Sequence, residues 1–382
     1  MTGVQAMATI YLIRHCESEG NACRRAQAQT DALVTRKGYG QIEALRQHFA
    51  DKRIDAVYSS DTYRAVQTVE PIAKDRGLPV RVRFLLREIT TGVWEDMAWG
   101  NIDQDYPEAH RVWLERPWDL ITPGANSFQE LSERVIFALR RIAREIGPDG
   151  VAAVASHSCS IKAALCGIYG WPFERVLECG HGDNCSYSRL EVDADGNITV
   201  AYAHESSFLP KHLTRAWSGV AGSDINLAVN PCDLATQSGI LLELAKADAG
   251  ERGEEFDPVR YLEEAKVLLA KNPLAIALAF LKGKPVGYVR MGYDSRLPAD
   301  CGLVERMYVL PHMQGVGYGD QLLGYASHEM RYADLRRLAV PTVCSTEEQR
   351  IVDRFIFNEM DGLPQYRCMT LFCPPLEYPV LP

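Results

Sequence analysis

Residues 11–21 read YLIRHCESEGN: a short apolar run that ends abruptly in Arg14, His15 and Cys16. A run of that length bounded by polar residues has the pattern of a buried strand, so the polar triplet is expected at the strand's carboxyl end. In an open parallel sheet that end is where ligands gather. The neighbouring sequence supports such a sheet. β-prone runs at 9–13, 56–58, 80–84 and 151–155 alternate with amphipathic helical patterns at 38–49, 63–76 and 127–145. This alternation predicts a mainly parallel sheet with helices on both faces. VDADGNITVAY then reads as a hairpin turning at Asp195-Gly196.

The chain of 382 residues is long enough for two ordinary cores. The first domain is expected over residues 1–215, because TRAWSGVAGSDIN (214–226) is small, polar and without periodicity. A second series follows over 223–378. It has helical patterns at 234–246 and 257–271, then two strands in LAIALAFLKGKPVGYVRMGY joined at Lys282-Gly283. After these come a strand at 302–309, a glycine loop, a helix at 318–334, a short strand near Val343 and a helix at 347–360.

Hydrophobic residues make up 47% and charged residues 24%, a globular composition. The formal net charge of -9 and the lack of a Lys/Arg block exclude a generic nucleic-acid footprint. The longest apolar run, 274–281, falls far short of the roughly 20 residues that a bilayer requires, so no membrane partner is expected. Eleven cysteines at irregular spacing, behind a start without a basic, apolar leader, point to a reducing cytoplasm. Small-molecule partners are therefore expected, and oligomeric state has no signature in the sequence.

Metal-free chemistry on a phosphate ester needs a nucleophile, positive charge around the phosphoryl oxygens and an acid for the leaving group. The first half supplies candidates at successive strand ends. Arg14 and His15 end the first strand, Arg64 opens the helix after YSSDTYRAVQT, Glu88 lies in LREITTGVWE, and His157 ends VAAVASHS. Together with LVTRKGYGQIEAL, PGANSFQELSERV and NCSYSRLEV, taken in order over residues 8–213, these blocks resemble the histidine phosphatase superfamily, the phosphoglycerate mutase-like fold.

The resemblance implies that His15 attacks phosphorus as a neutral imidazole. Arg14, Arg64, Asn21, His157 and Ser158 would bind the phosphate, and Glu88 would protonate the leaving oxygen and later activate water. It also implies a glycine after each histidine, where this chain has Cys16 and Ser158; a Cβ could intrude on the phosphate there, but both side chains are small and activity is expected to be retained. A further departure is Asn126, at a position where the family block usually has glutamate. A mutase would re-phosphorylate its product, but the tryptophan-rich start expected of glycolytic mutases is missing, which favours a phosphatase. The insertion between Trp94 and Pro123, with four tryptophans, reads equally as a lid over the site or as a cap packed on itself. ECGHGDNC (178–185) superficially suggests a metal cluster, but it lacks the separated ligand pairs of zinc sites, so no metal is expected.

In the second half, LVERMYVLPHMQGVGYGDQLL places glycines between a strand and a helix, a turn that presents backbone N–H groups to an anion. With GKPVGYVRM before it and DRFIFNEMDG after it, the segment resembles the acetyl-CoA loop of the GNAT N-acetyltransferase superfamily, a mixed-sheet α/β fold. The resemblance implies acetyl-CoA binding at Val309, Gln314, Gly315, Val316, Gly317, Tyr318 and Gly319, with a small-molecule or peptide amine as acceptor. Glu305 is the expected base. Phe357 stands where the family commonly has its acid tyrosine, which Tyr366 or a water could replace. The whole reads as a bifunctional phosphatase and N-acetyltransferase. The alternatives are that one half is a degenerate ligand-binding module or that the first half is a mutase-type phosphotransferase.

Overall fold

The computed structural model describes residues 7–120, 122–214, 225–342 and 345–381. Two seven-stranded sheets organise them. The first half runs β1 (Ala8–Arg14), α1 (Glu19–Ala22), α2 (Arg36–His48), β2 (Ala56–Ser59), α3 (Tyr63–Lys74), β3 (Val80–Arg83), α4 (Trp99–Asp105) and α5 (Pro107–Glu115). It continues with α6 (Phe128–Ile146), β4 (Val151–Ser156), α7 (Ser158–Ile168), β5 (Tyr187–Val192) and β6 (Ile198–Glu205).

β1 lies inside the sheet, parallel to β4 and antiparallel to β5. Its alternating side chains therefore enter two different cores. Ile10 and Leu12 pack with Leu131, Val135 and Leu139 of α6, while Ile13 packs with Ile42 and Leu45 of α2 and Val66 of α3. This is the expected α/β/α sandwich. The order β3-β2-β4-β1 is parallel throughout, so the ends of β1, β2 and β4 open on one edge. α6 starts where a Ser127/Glu130 capping box satisfies its first N–H groups.

The second half runs β7 (Ala228–Pro231), α8 (Leu234–Arg252), α9 (Pro258–Lys271), β8 (Ile276–Leu281), β9 (Lys284–Gly292) and β10 (Cys301–Val309). It goes on through α10 (Tyr318–Tyr332), β11 (Arg337–Pro341), α11 (Thr346–Arg354), β12 (Asn358–Glu359) and β13 (Tyr366–Thr370). The strand expected near Val343 is β11, and Val343 itself lies outside the described residues, as does most of the boundary segment 214–226. The helix expected to reach 360 stops at Arg354. Ile356 takes a positive φ of 57°, and residues 358–359 pair with β13 instead. β10 and β11 are parallel and pair only over Cys301–Leu303, after which β10 follows β9 alone. The separated strands leave a groove.

The chain end crosses back. β14 (Val380–Leu381) pairs in parallel with β3, and the Tyr378 hydroxyl donates to Glu70 at 2.9 Å. This tail strand, beyond the bound at 378 that the sequence suggested for the second half, covers an otherwise open sheet edge of the first.

The halves also meet through charge. Arg354, which also bonds Asp320 of its own half, donates across to Glu17 (2.9 Å), His328 bonds Asp96 (2.7 Å), and Arg331 bonds Glu19. Contact at Gly100 is close enough that a Cβ there would lie 2.1 Å from the Leu227 carbonyl.

Candidate functional site

His15 follows β1 and is 5% exposed. Its Nδ1 lies 2.7 Å from the Cys16 carbonyl, which can only accept, so the ring proton sits on Nδ1 and Nε2 keeps its lone pair. Burial, and then the charges of Arg64 and Arg14, hold the imidazole well below its usual pKa, so it stays neutral. The His157 ring, at the end of β4, is 5.2 Å away centroid to centroid. His157 Nε2 contacts Ser60 Oγ at 2.9 Å and Nδ1 faces Arg64 at 3.5 Å. Burial followed by Arg64 lowers the His157 pKa as well.

Arg64 is 1% exposed and is anchored by the carbonyls of Thr30 (2.8 Å) and Ala28 (3.0 Å). Arg14 donates to the Gly182 carbonyl. Asn184 ties the layers together, donating to the His15 carbonyl (2.9 Å) and to Asn21 Oδ1 (3.2 Å). Arg14, Asn21 and Ser158 face a cleft of about 450 Å³, whose opposite wall is Val316, Gly317, Asp320, Gln321 and Arg354 of the second half.

The groove beside β10 has a volume of about 250 Å³ and is lined by Gln314, Gly319, Arg306, Tyr308 and the carboxylates Glu251, Glu347 and Glu348. Gly315 and Gly317 have φ of 82° and 91°, conformations that favour glycine, and a Cβ on Gly319 would lie 2.6 Å from Ile351. Gln314 Nε2 caps the end of β10 through the Val309 carbonyl at 2.8 Å.

Residues 10–204 match the family model of the histidine phosphatase superfamily (branch 1). The chain belongs to that superfamily. Residues 241–351 match the acetyltransferase (GNAT) family model. Phosphoserine phosphatase 1 of Hydrogenobacter thermophilus is 29% identical over 194 residues, which are 51% of this chain and 91% of that protein. A probable phosphoglycerate mutase, GpmB of Salmonella typhi, is 31% identical over 209 residues, 54% of this chain and 95% of that one. Among solved structures, Bacillus stearothermophilus YhfR superposes with a TM-score of 0.51 at 25% identity, covering 53% of this chain and all of that one.

Within this histidine phosphatase fold the two substituted glycine positions behave differently. The Cys16 side chain turns away from the cleft. It is fully buried with the side chains of α2 and α3, its N–H donates to Thr68 Oγ1 at 2.8 Å and its Sγ lies 3.7 Å from the Arg64 carbonyl. Burial pushes this thiol up to about 12, so it is inert. Ser158 does line the cleft, with Oγ 3.5 Å from His181 Nδ1. Asn126 sits at the start of the α6 capping region and accepts from Thr90.

Glu88 occupies the amino end of α7. Its carboxylate accepts from the N–H groups of Ile89, Cys159 and Ser160, each at 2.9 Å, and from Ser160 Oγ at 3.1 Å. It is 8% exposed and, like His15, Arg64 and His157, lies behind the residues that line the cleft. Trp99 stacks on Trp113 at 5.7 Å, and both face the cleft.

Glu305 is not at the groove. A register shift between Val304 and Arg306 turns it onto Gly292, where it pairs with Arg290 at 2.9 Å. Phe357 is core, packed with Leu322 and Phe355, and the Tyr366 hydroxyl is held by Asp294. The groove's polar chemistry comes from residues that the sequence reading missed. The Tyr308 hydroxyl donates to Glu251 at 2.6 Å, and fully buried Asp248 holds Arg306, which reaches Glu348 at 2.8 Å. On the phosphatase side His181, Lys162 and Asn184 were also missed. The only sequence signal for His181 and Asn184 was the polar run 178–185, read there for metal, and Lys162 on α7 had none.

Proposed function

We propose that the first half hydrolyses a small-molecule phosphate monoester through a phosphohistidine on Nε2 of His15. One observation carries this reading: a neutral, buried imidazole whose Nδ1–H is tied to the Cys16 carbonyl, leaving Nε2 as lone-pair donor beside Arg14, Arg64 and His157. The guanidiniums and Asn21 bind the phosphoryl oxygens, and their charge is worth most as negative charge accumulates at phosphorus. Re-phosphorylation of product, as in a mutase, would require the product to turn over inside the cleft. Hydrolysis requires only water, and it is the better-supported reading. Mixing enzyme with an excess of aryl phosphate should give a burst of phenolate of about one equivalent when dephosphorylation limits turnover. Phosphate should form with it, and His15→Ala should abolish both. Phenolate release that persists in His15→Ala would refute the phosphohistidine.

For the second half we propose acetyl transfer from acetyl-CoA to an amine. The backbone fits: the loop 314–319 has two glycines at positive φ before α10, and its N–H groups would hold the pyrophosphate. When bound, acetyl-CoA supplies the activated acyl group. Glu251, joined to Tyr308, is better placed than Glu305 to take the amine proton, and the carboxylates around the groove favour a cationic acceptor. Free thiol released from acetyl-CoA in the presence of an amine panel tests this, and binding without release under every amine would leave only a ligand-binding module.

A further inference from the structure

The buried Arg64 is aimed by a loop more than by an ion pair. The Asp31 carboxylate is 3.5 Å away, while the carbonyls of Thr30 and Ala28 accept from its two terminal nitrogens at 2.8 and 3.0 Å. A peptide carbonyl holds a guanidinium only as firmly as its own chain is held. Residues 28–30 belong to no helix or strand, so something else must fix them. That group is Glu95, just after the turn Gly92–Trp94. Its Oε1 accepts from three successive amides, those of Ala28 (3.0 Å), Gln29 (2.9 Å) and Thr30 (2.7 Å), and its Oε2 accepts from Thr91 Oγ1 at 3.0 Å. Consecutive N–H groups converging on one anionic oxygen form a nest, and each bond is charge-assisted. The same three residues reach the reaction centre. Their carbonyls carry Arg64, and the Gln29 side chain donates to the Glu88 carbonyl (3.0 Å) and accepts from Arg87 (3.1 Å). Burial is the largest influence on the Arg64 guanidinium and lowers its pKa, while the charges of Asp31, Glu88 and Glu95 oppose it.

On the reading of a phosphohistidine hydrolase, we propose that Glu95 is a positioning residue of the phosphatase site: by fixing residues 28–30 it holds the Arg64 guanidinium where the phosphoryl oxygens come to lie. It acts through the loop and not on the substrate. Without the carboxylate the three amides turn to water, the carbonyls of Ala28 and Thr30 move with them, and Arg64 loses its aim. A displacement of about 1 Å at such a group is worth up to about 100-fold in rate. Glu88 is anchored independently. Its carbonyl also accepts from Arg134 at 3.1 Å, and its carboxylate is held by the amino end of α7. The effect of Glu95 therefore runs through Arg64, which stabilises charge on the phosphoryl group whatever the leaving group is.

The test is a double-mutant cycle in the full chain. Wild type, Glu95→Ala, Glu95→Gln, Arg64→Ala and the Arg64→Ala/Glu95→Ala double variant are compared on phenyl phosphate and 4-nitrophenyl phosphate, and for binding of orthovanadate by calorimetry. Glu95→Ala should lower kcat/KM by about 30–100-fold, equally on both esters, and weaken orthovanadate binding in step. Glu95→Gln keeps a carbonyl oxygen for the amides and should stay within about fivefold of wild type. In the Arg64→Ala background, loss of Glu95 should cost less than about threefold more, because the group it positions is gone. A merely structural role would act equally in both backgrounds. Equal losses with and without Arg64, or wild-type kinetics in a folded Glu95→Ala enzyme, would overturn the proposal. If Glu95→Ala does not fold, Glu95→Asp, whose oxygens stop a methylene short of the amides, carries the same comparison. Absence of His15-dependent turnover in the wild type would instead overturn the phosphatase reading, and the orthovanadate cycle would still decide whether Glu95 acts through Arg64.

Discussion

Replacing Arg354 by methionine should weaken the junction of the two halves in a pH-dependent way. Arg354 serves two carboxylates at once, with Glu17 at 9% and Asp320 at 6% side-chain exposure, while its own side chain is 31% exposed. Removing one partner of a buried ion pair costs about 3–5 kcal/mol. Partial exposure of the guanidinium and the remaining Glu17 partners, Thr35 (2.8 Å) and Lys37 (3.5 Å), reduce this to about 2–3 kcal/mol. In a chain of this size that is a loss of about 3 °C in Tm. Burial raises the Asp320 carboxyl to about 6 even with Arg354 present. A carboxyl raised above its unfolded value favours the folded state most when protonated, and the advantage fades as pH climbs through about 4 to 6. Without Arg354 that rise extends higher, so the variant should lose more stability than wild type between pH 5 and pH 8. Glu17 keeps part of the deficit at pH 5: burial pushes its carboxyl up, but Arg354 and Lys37 more than offset this in the native protein. Thermal unfolding at the two pH values measures the difference directly. An equal loss at pH 5 and pH 8, or none at either, would refute the claim that these buried carboxylates depend on Arg354.

Three further outcomes follow from the geometry. Cys16→Gly should change phosphatase kcat by less than about threefold, because Sγ points into the core and away from the phosphate, while the vacated volume lowers stability by about 1–2 kcal/mol in denaturant titration. The phosphorylation rate, corrected for titration of the ester itself, should stay level from pH 7 to pH 5.5 in rapid-mixing assays, since His15 is held well below its usual pKa; an ordinary imidazole would lose about tenfold. Glu347→Gln should tighten acetyl-CoA binding by about 3–10-fold in calorimetry, because the Glu347 carboxylate, 3.4 Å from the Gly315 N–H, competes for the place of an anion.

The local grammar of the chain was enough to place Arg14, His15 and His157 at strand ends of one sheet and Arg64 at the start of the helix after β2. An alternation of β-prone runs and amphipathic helices permits few topologies, and a parallel sheet exposes its strand ends on one edge. It was also enough to place Gln314, Gly315, Gly317 and Gly319 in one turn, because all lie within six residues of each other. Glu305 shows where that grammar fails: a single bulge reverses which face a strand residue occupies, and nothing local announces it. Cys16 is a second case, since whether its side chain meets phosphate or core depends on the rotation of β1 against α3.

What only the tertiary structure decided is long-range: the tail strand on β3, the second half as a wall of the phosphatase cleft, and His181 set between Ser158 and Lys162. These contacts join residues far apart in the chain and leave no periodicity behind. Short-range steric and hydrophobic rules fix the elements and their ends, but the meeting of distant side chains is settled only when the whole chain packs.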